Sequence, residues 1–118
     1  LYEKEKWTTV DIITCAAPHL YEDDGVTESE LYSIQFTRFC RIMQIAALNN
    51  VDVLILGAFG CGAFNNDPDI VARAARNALC YYRNCFDVVE FAIYGDNDNY
   101  MEFVSKLIFQ DRELESEE

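Results

Sequence analysis

The sequence predicts an α/β fold with parallel strands and helices on both faces, and three observations carry that expectation. Three β-branched apolar runs, residues 9–17, 51–56 and 87–94, each stop at a breaker: Pro18, Gly57 and Gly95. Each run is followed by a stretch whose apolar residues recur at helical spacing, giving the order β-α-β-α-β-α. Short strands alternating with helices join in parallel through crossovers, which distribute helices over the sheet.

Composition bounds the reading. A chain of 118 residues is about one domain, and 51% apolar with 14% aromatic residues is a globular composition. We therefore take residues 1–118 as one domain, with 1–8 a charged lead-in and 112–118 a solvated acidic tail. No apolar run approaches the roughly 20 residues needed to span a bilayer, and no signal-peptide pattern precedes the first apolar run, so a cytoplasmic protein is expected. Residue 1 is Leu, which predicts a removed leader or a longer parent polypeptide.

The five cysteines, Cys15, Cys40, Cys61, Cys80 and Cys85, contain no CxxC pair and sit mostly in apolar runs, as buried reduced thiols do. A net charge of −12 argues against nucleic-acid duplexes and anionic membranes as partners.

Taken in order, residues 9–17 (TVDIITCAA) read as a central strand covered on both sides, and residues 19–29 as a polar loop turning at Gly25. Residues 31–49 read as a helix capped by Thr27 or Ser29. Its polar stripe is Ser33, Thr37, Arg41 and Gln44, and the apolar remainder is wide enough to want cover on more than one side. Asn49-Asn50 ends it. After the strand 51–56 and a glycine-rich loop, Asp67 is placed to cap a helix with Pro68 at its first position. Ile70, Val71, Ala74, Ala75, Ala78 and Leu79 form that helix's buried face. The strand 87–94 and an amphipathic helix over 97–110 complete the order.

The loop is the candidate site. Gly57, Gly60 and Gly62 lie at the C-terminal end of a strand, the edge at which open parallel sheets bind ligands. Glycines let the backbone take positive φ and leave successive N–H groups free for an anion. The spacing is neither that of a P-loop, since no Lys-Ser/Thr follows, nor that of the dinucleotide fingerprint, whose third position here is Asn65. Spacing alone leaves a tight strand-to-helix turn and a ligand loop both open. Asp67 and Asp69 would repel a phosphate from the helix start, so a diphosphate would lie over the amides of 59–64. Phe59 is expected as a staple into the core and Phe64 against a sugar. Tyr94 is either core or a stacking surface for a base. Nothing in the sequence pairs the single histidine, His19, with a nucleophile, and neither a catalytic residue nor a metal or cofactor site is assigned.

The stretch LGAFGCGAFNNDPDIVA, with DIITCAAP before it and FAIYGD after it, resembles the C-terminal half of the poly(ADP-ribose) glycohydrolase macrodomain, bacterial type. The resemblance covers residues 10–109. It implies a three-layer α/β/α macrodomain, truncated at the N-terminus, that binds ADP-ribose or poly(ADP-ribose). It implies a diphosphate-binding loop of Gly57, Ala58, Phe59, Gly60, Cys61, Gly62, Ala63 and Phe64, with Phe64 and Asn65 at the ribose and Tyr94 stacked on adenine. The family's catalytic signature, a triple glycine followed by Gln-Glu-Glu, does not occur in this sequence. The resemblance therefore implies hydrolysis of ribose–ribose bonds only if a segment bearing those glutamates is supplied. The alternatives are a non-catalytic ADP-ribose or nucleotide-binding module, as a homodimer covering its open helix faces, and a Rossmann-like or flavodoxin-like domain using NAD or FMN.

Overall fold

A computed structural model describes residues 7–20, 25–61, 65–93 and 101. Its elements are helix α1 (Glu28–Leu48), strand β1 (Val53–Leu56), helix α2 (Pro68–Tyr82), a 3-10 turn (Arg83–Cys85) and strand β2 (Val88–Phe91).

Thr27 caps α1: its Oγ1 accepts from the Glu30 amide at 3.1 Å, which starts the helix one turn earlier than the apolar pattern alone suggests. Glu28 and Glu30 place negative charge in the first turn, where the helix dipole favours it. At the other end the Asn49 side chain donates to the Ile45 carbonyl at 2.8 Å, and Asn50 takes the left-handed conformation (φ 57°) that turns the chain toward β1. The buried stripe is Leu31, Gln35, Phe39, Ile42, Met43 and Ala46. Ser33, Thr37, Arg41 and Gln44 are exposed, and so are Ile45 and Leu48.

β1 and β2 pair in parallel, Val53 opposite Val88 through Leu56 opposite Phe91, and α2 forms the crossover between them. Alternation puts Leu54 and Leu56 on one face, in a core cluster with Phe39, Met43 and Ala46 of α1 and Val71, Ala74, Ala75 and Ala78 of α2. The alanines bring α2 close to both α1 and the sheet, and the helix pair is fastened by Asn77 Nδ2 donating to the Tyr32 hydroxyl at 2.6 Å. Val53, Ile55 and Val88 remain exposed on the opposite face. The helix expected over 97–110 lies outside the described residues except for Met101, as does the acidic tail.

Residues 9–17 depart from expectation: they form no strand. Ile13, Cys15 and Ala17 do alternate inward, but Val10 and Ile12 are 68% and 82% exposed, so the segment is not covered on both sides. The physical reason is separation. A cavity of about 790 Å³, lined by Thr9, Ile13 and Cys15 on one side and by Val51 through Phe59 on the other, stands between this segment and β1. β propensity needs a partner edge within hydrogen-bonding reach. The segment is instead tied down by side chains, Arg38 Nη1 donating to the Ala16 carbonyl at 2.7 Å and Asn66 Nδ2 to the Pro18 carbonyl at 2.8 Å. No helix among the described residues is long and apolar enough to cross a membrane.

Candidate functional site at the glycine turn

The chain leaves β1 at Gly57 and enters a tight turn over residues 58–61, closed by the Cys61 amide donating to the Ala58 carbonyl at 3.1 Å. Gly60 is the third residue of that turn at φ 83°, the position at which a type II turn requires positive φ. Glycine is required there for a second reason. A Cβ would stand 2.8 Å from Asn66 Cγ and Nδ2 and 2.8 Å from Ala17 Cβ. Gly57 has no such constraint, its nearest contact being the Ala92 carbonyl at 3.8 Å.

The Phe59 ring meets Phe39 edge-on, centroids 5.7 Å apart, and packs against the core. The residue contributes backbone to the turn and an anchor to the core. Asn65 is left-handed (φ 61°), and its side chain donates to the Leu20 carbonyl at 3.4 Å. Asp67 then caps α2, accepting from the Asp69 amide at 3.0 Å, with Pro68 at the first position. Asp69 pairs with Arg73 at 3.3 Å on the half-exposed first turn. Gly62, Ala63, Phe64 and Tyr94 lie outside the described residues.

Two side chains that sequence reasoning missed organise the site. Gln35, fully buried, donates through Nε2 to Asn66 Oδ1 at 2.7 Å and to the Phe59 carbonyl at 3.2 Å. Asn66, 2% exposed, donates through Nδ2 to the Pro18 carbonyl, and its own amide donates to the Gly60 carbonyl at 2.9 Å. Carbonyls only accept, so the Pro18 oxygen must face the NH₂ end of Asn66. The Asn66 oxygen then faces Gln35, which must present its own NH₂. Both amide orientations follow from the backbone. Gln35 Oε1 is buried with no donor among the described residues. The signal was present in the sequence: Gln35 stands four residues from both Leu31 and Phe39, inside the apolar stripe.

Cys61 is the cysteine nearest the site, and burial, followed by the charge of Asp67, pushes its thiol up to about 12. It is a thiol at neutral pH and not a nucleophile. Burial also raises Cys40. None of the five cysteines is in a disulfide, but Cys80 and Cys85 are exposed, against the expectation of buried thiols. They fall at the solvent side of the end of α2 and in the 3-10 turn, where the apolar pattern around them does not face the core. No group of three or more His, Cys, Asp or Glu among the described residues could hold a metal ion.

Comparison with solved structures places this arrangement. Poly(ADP-ribose) glycohydrolase from Deinococcus radiodurans, solved in complex with ADP-ribose, is 31% identical over 68% of this chain and 34% of its own, with a TM-score of 0.63. The same enzyme in apo form is 30% identical over 70% of this chain and 35% of its own, with a TM-score of 0.64. No family model and no curated protein matches the sequence. The class is a parallel α/β unit with a glycine turn at the end of its first strand. Within that class the chain is poly(ADP-ribose) glycohydrolase-like, of the bacterial kind, and it spans about a third of the length of the structures it matches.

Proposed function

We propose that this chain is the ADP-ribose-binding, C-terminal half of a poly(ADP-ribose) glycohydrolase-like macrodomain, three-layered when complete. The observation that supports it best is the glycine turn after β1, in a chain about 30% identical to an enzyme solved with ADP-ribose. The diphosphate lies over the backbone of Gly57 to Phe64, the distal ribose against Phe64 and Asn65, and adenine on Tyr94. Amides and not cations hold the anion, which suits a chain of charge −12. Hydrolysis of the ribose–ribose bond needs a carboxylic acid to protonate the leaving oxygen. This sequence contains no Gln-Glu-Glu signature, so cleavage requires that a segment bearing those glutamates be supplied, and the chain alone binds without cleaving. Its setting is the cytoplasm, with the cysteines reduced.

The test is poly(ADP-ribose) hydrolysis by the chain alone and with a co-expressed segment carrying the glutamates, beside calorimetric titration with ADP-ribose. Binding by the chain and cleavage only by the pair is the expected result. Cleavage absent from the pair would remove the enzymatic half of the proposal. A second reading, a non-catalytic module paired as a homodimer, is favoured by the exposed apolar face at Val53, Ile55 and Val88. A monomer in sedimentation would remove the homodimer.

A further inference from the structure

We infer that Gln35 and Asn66 are positioning residues that hold the glycine turn in its ligand-competent shape, an inference that rests on the binding role proposed for that turn. Four pieces of chain meet at this pair. Gln35 brings α1, the Phe59 carbonyl brings the turn, Asn66 leads into the α2 cap, and the Pro18 carbonyl brings the end of the 9–17 segment. The turn is held from both sides of Gly60, by Gln35 at the carbonyl of residue 59 and by the Asn66 amide at the carbonyl of residue 60. With both carbonyls drawn onto buried donors the two peptide planes are fixed: the Cys61 N–H closes the turn on the Ala58 carbonyl, and the Gly60 N–H, opposite the Phe59 carbonyl in its trans peptide, is directed away from Gln35. An anion-gripping turn needs that polarity, because an amide turned inward is lost to the ligand.

Packing alone does not explain the pair. Gln35 is fully buried among the apolar residues of the α1 stripe, and its amide NH₂ is committed to the Phe59 carbonyl and to Asn66 rather than to solvent. Buried amides that specify a geometry at a cost in stability are a known use of polar groups in cores. Gly60 completes the arrangement, since its missing Cβ is the space in which the Asn66 amide lies against Ala17.

The test is ¹⁵N relaxation on the 118-residue chain with two variants, together with ADP-ribose titration. Gln35→Met keeps volume and removes the donor. The order parameters of residues 58–61 are expected to fall from about 0.85 to below about 0.6, with those of α2 unchanged, and ADP-ribose affinity is expected to drop at least about tenfold. Asn66→Leu keeps the shape but removes both the acceptor for Gln35 and the donor to Pro18, so residues 16–18 and 58–61 should both loosen while α2 stays ordered. Unchanged order at 58–61 in Gln35→Met overturns the inference, as does equal loosening of the turn and α2, which marks a structural role only. Loosening of the turn in a chain that binds no ADP-ribose even as wild type upholds the clamp and defeats the binding role, so the two failures are separable.

Discussion

Replacing Gly60 by alanine tests the site's geometry most sharply, because two costs coincide there and two other glycines separate them. Gly60 holds φ 83°, and its added Cβ would meet Asn66 and Ala17 at 2.8 Å, closer than real Cβ atoms come. A left-handed residue other than glycine costs roughly 1–2 kcal/mol, and forcing a methyl into a packed site typically costs about 1–3 kcal/mol more. Gly60→Ala should therefore lose about 2–5 kcal/mol, a large part of the roughly 5–15 kcal/mol that holds a domain together. Gly25→Ala meets open space at φ 63° and should show the backbone cost alone, roughly 1–2 kcal/mol. Gly57→Ala, with ordinary contact and no positive φ, should stay within about 0.5 kcal/mol of wild type. Urea unfolding of the three variants gives the ranking. A Gly60→Ala loss no larger than that of Gly25→Ala would refute the close approach of Asn66 and Ala17.

Other outcomes follow from single contacts. Thr27→Ala removes the α1 cap and should cost about 1 kcal/mol by urea denaturation, with no change in ADP-ribose affinity. Tyr32→Phe leaves Asn77 without its 2.6 Å acceptor and should cost about 1 kcal/mol, read as a lower denaturation midpoint. The Cys61 thiol is raised in the folded chain, so its contribution is fully present below the ordinary thiol range and is lost as pH climbs from there toward about 12. Cys61→Ala should flatten the fall of stability over that alkaline window, measured by urea unfolding at stepped pH. In timed alkylation near neutral pH, the exposed Cys80 and Cys85 should react first and Cys61 last.

Both helices were legible in the sequence because their signals are local. Asp67-Pro68 announces the start of α2, alanines mark its close-packed face, and Thr27 precedes an acidic first turn. The second and third apolar runs became β1 and β2 inside the expected limits. Residues 9–17 carry the same composition yet form no strand, since pairing is a property of the neighbouring edge and not of the run itself. At the site, the glycines pointed to a turn, but which glycine was indispensable depended on Asn66 arriving from beyond the turn. Gln35 was hidden by its setting: a single polar residue in an apolar stripe looks like a tolerated exception until its partners, 24 and 31 residues away, are seen.

Whether ADP-ribose sets its diphosphate on the glycine turn can be read from the backbone amides of the chain in ¹⁵N–¹H spectra during titration with ADP-ribose. Saturable shifts are expected, concentrated at the amides of residues 58–61, absent in Gly62→Glu and weaker with adenosine, which lacks the diphosphate. Shifts of equal size with adenosine, or perturbations confined to α1 and the outer sheet face while residues 58–61 stay still, would contradict that placement.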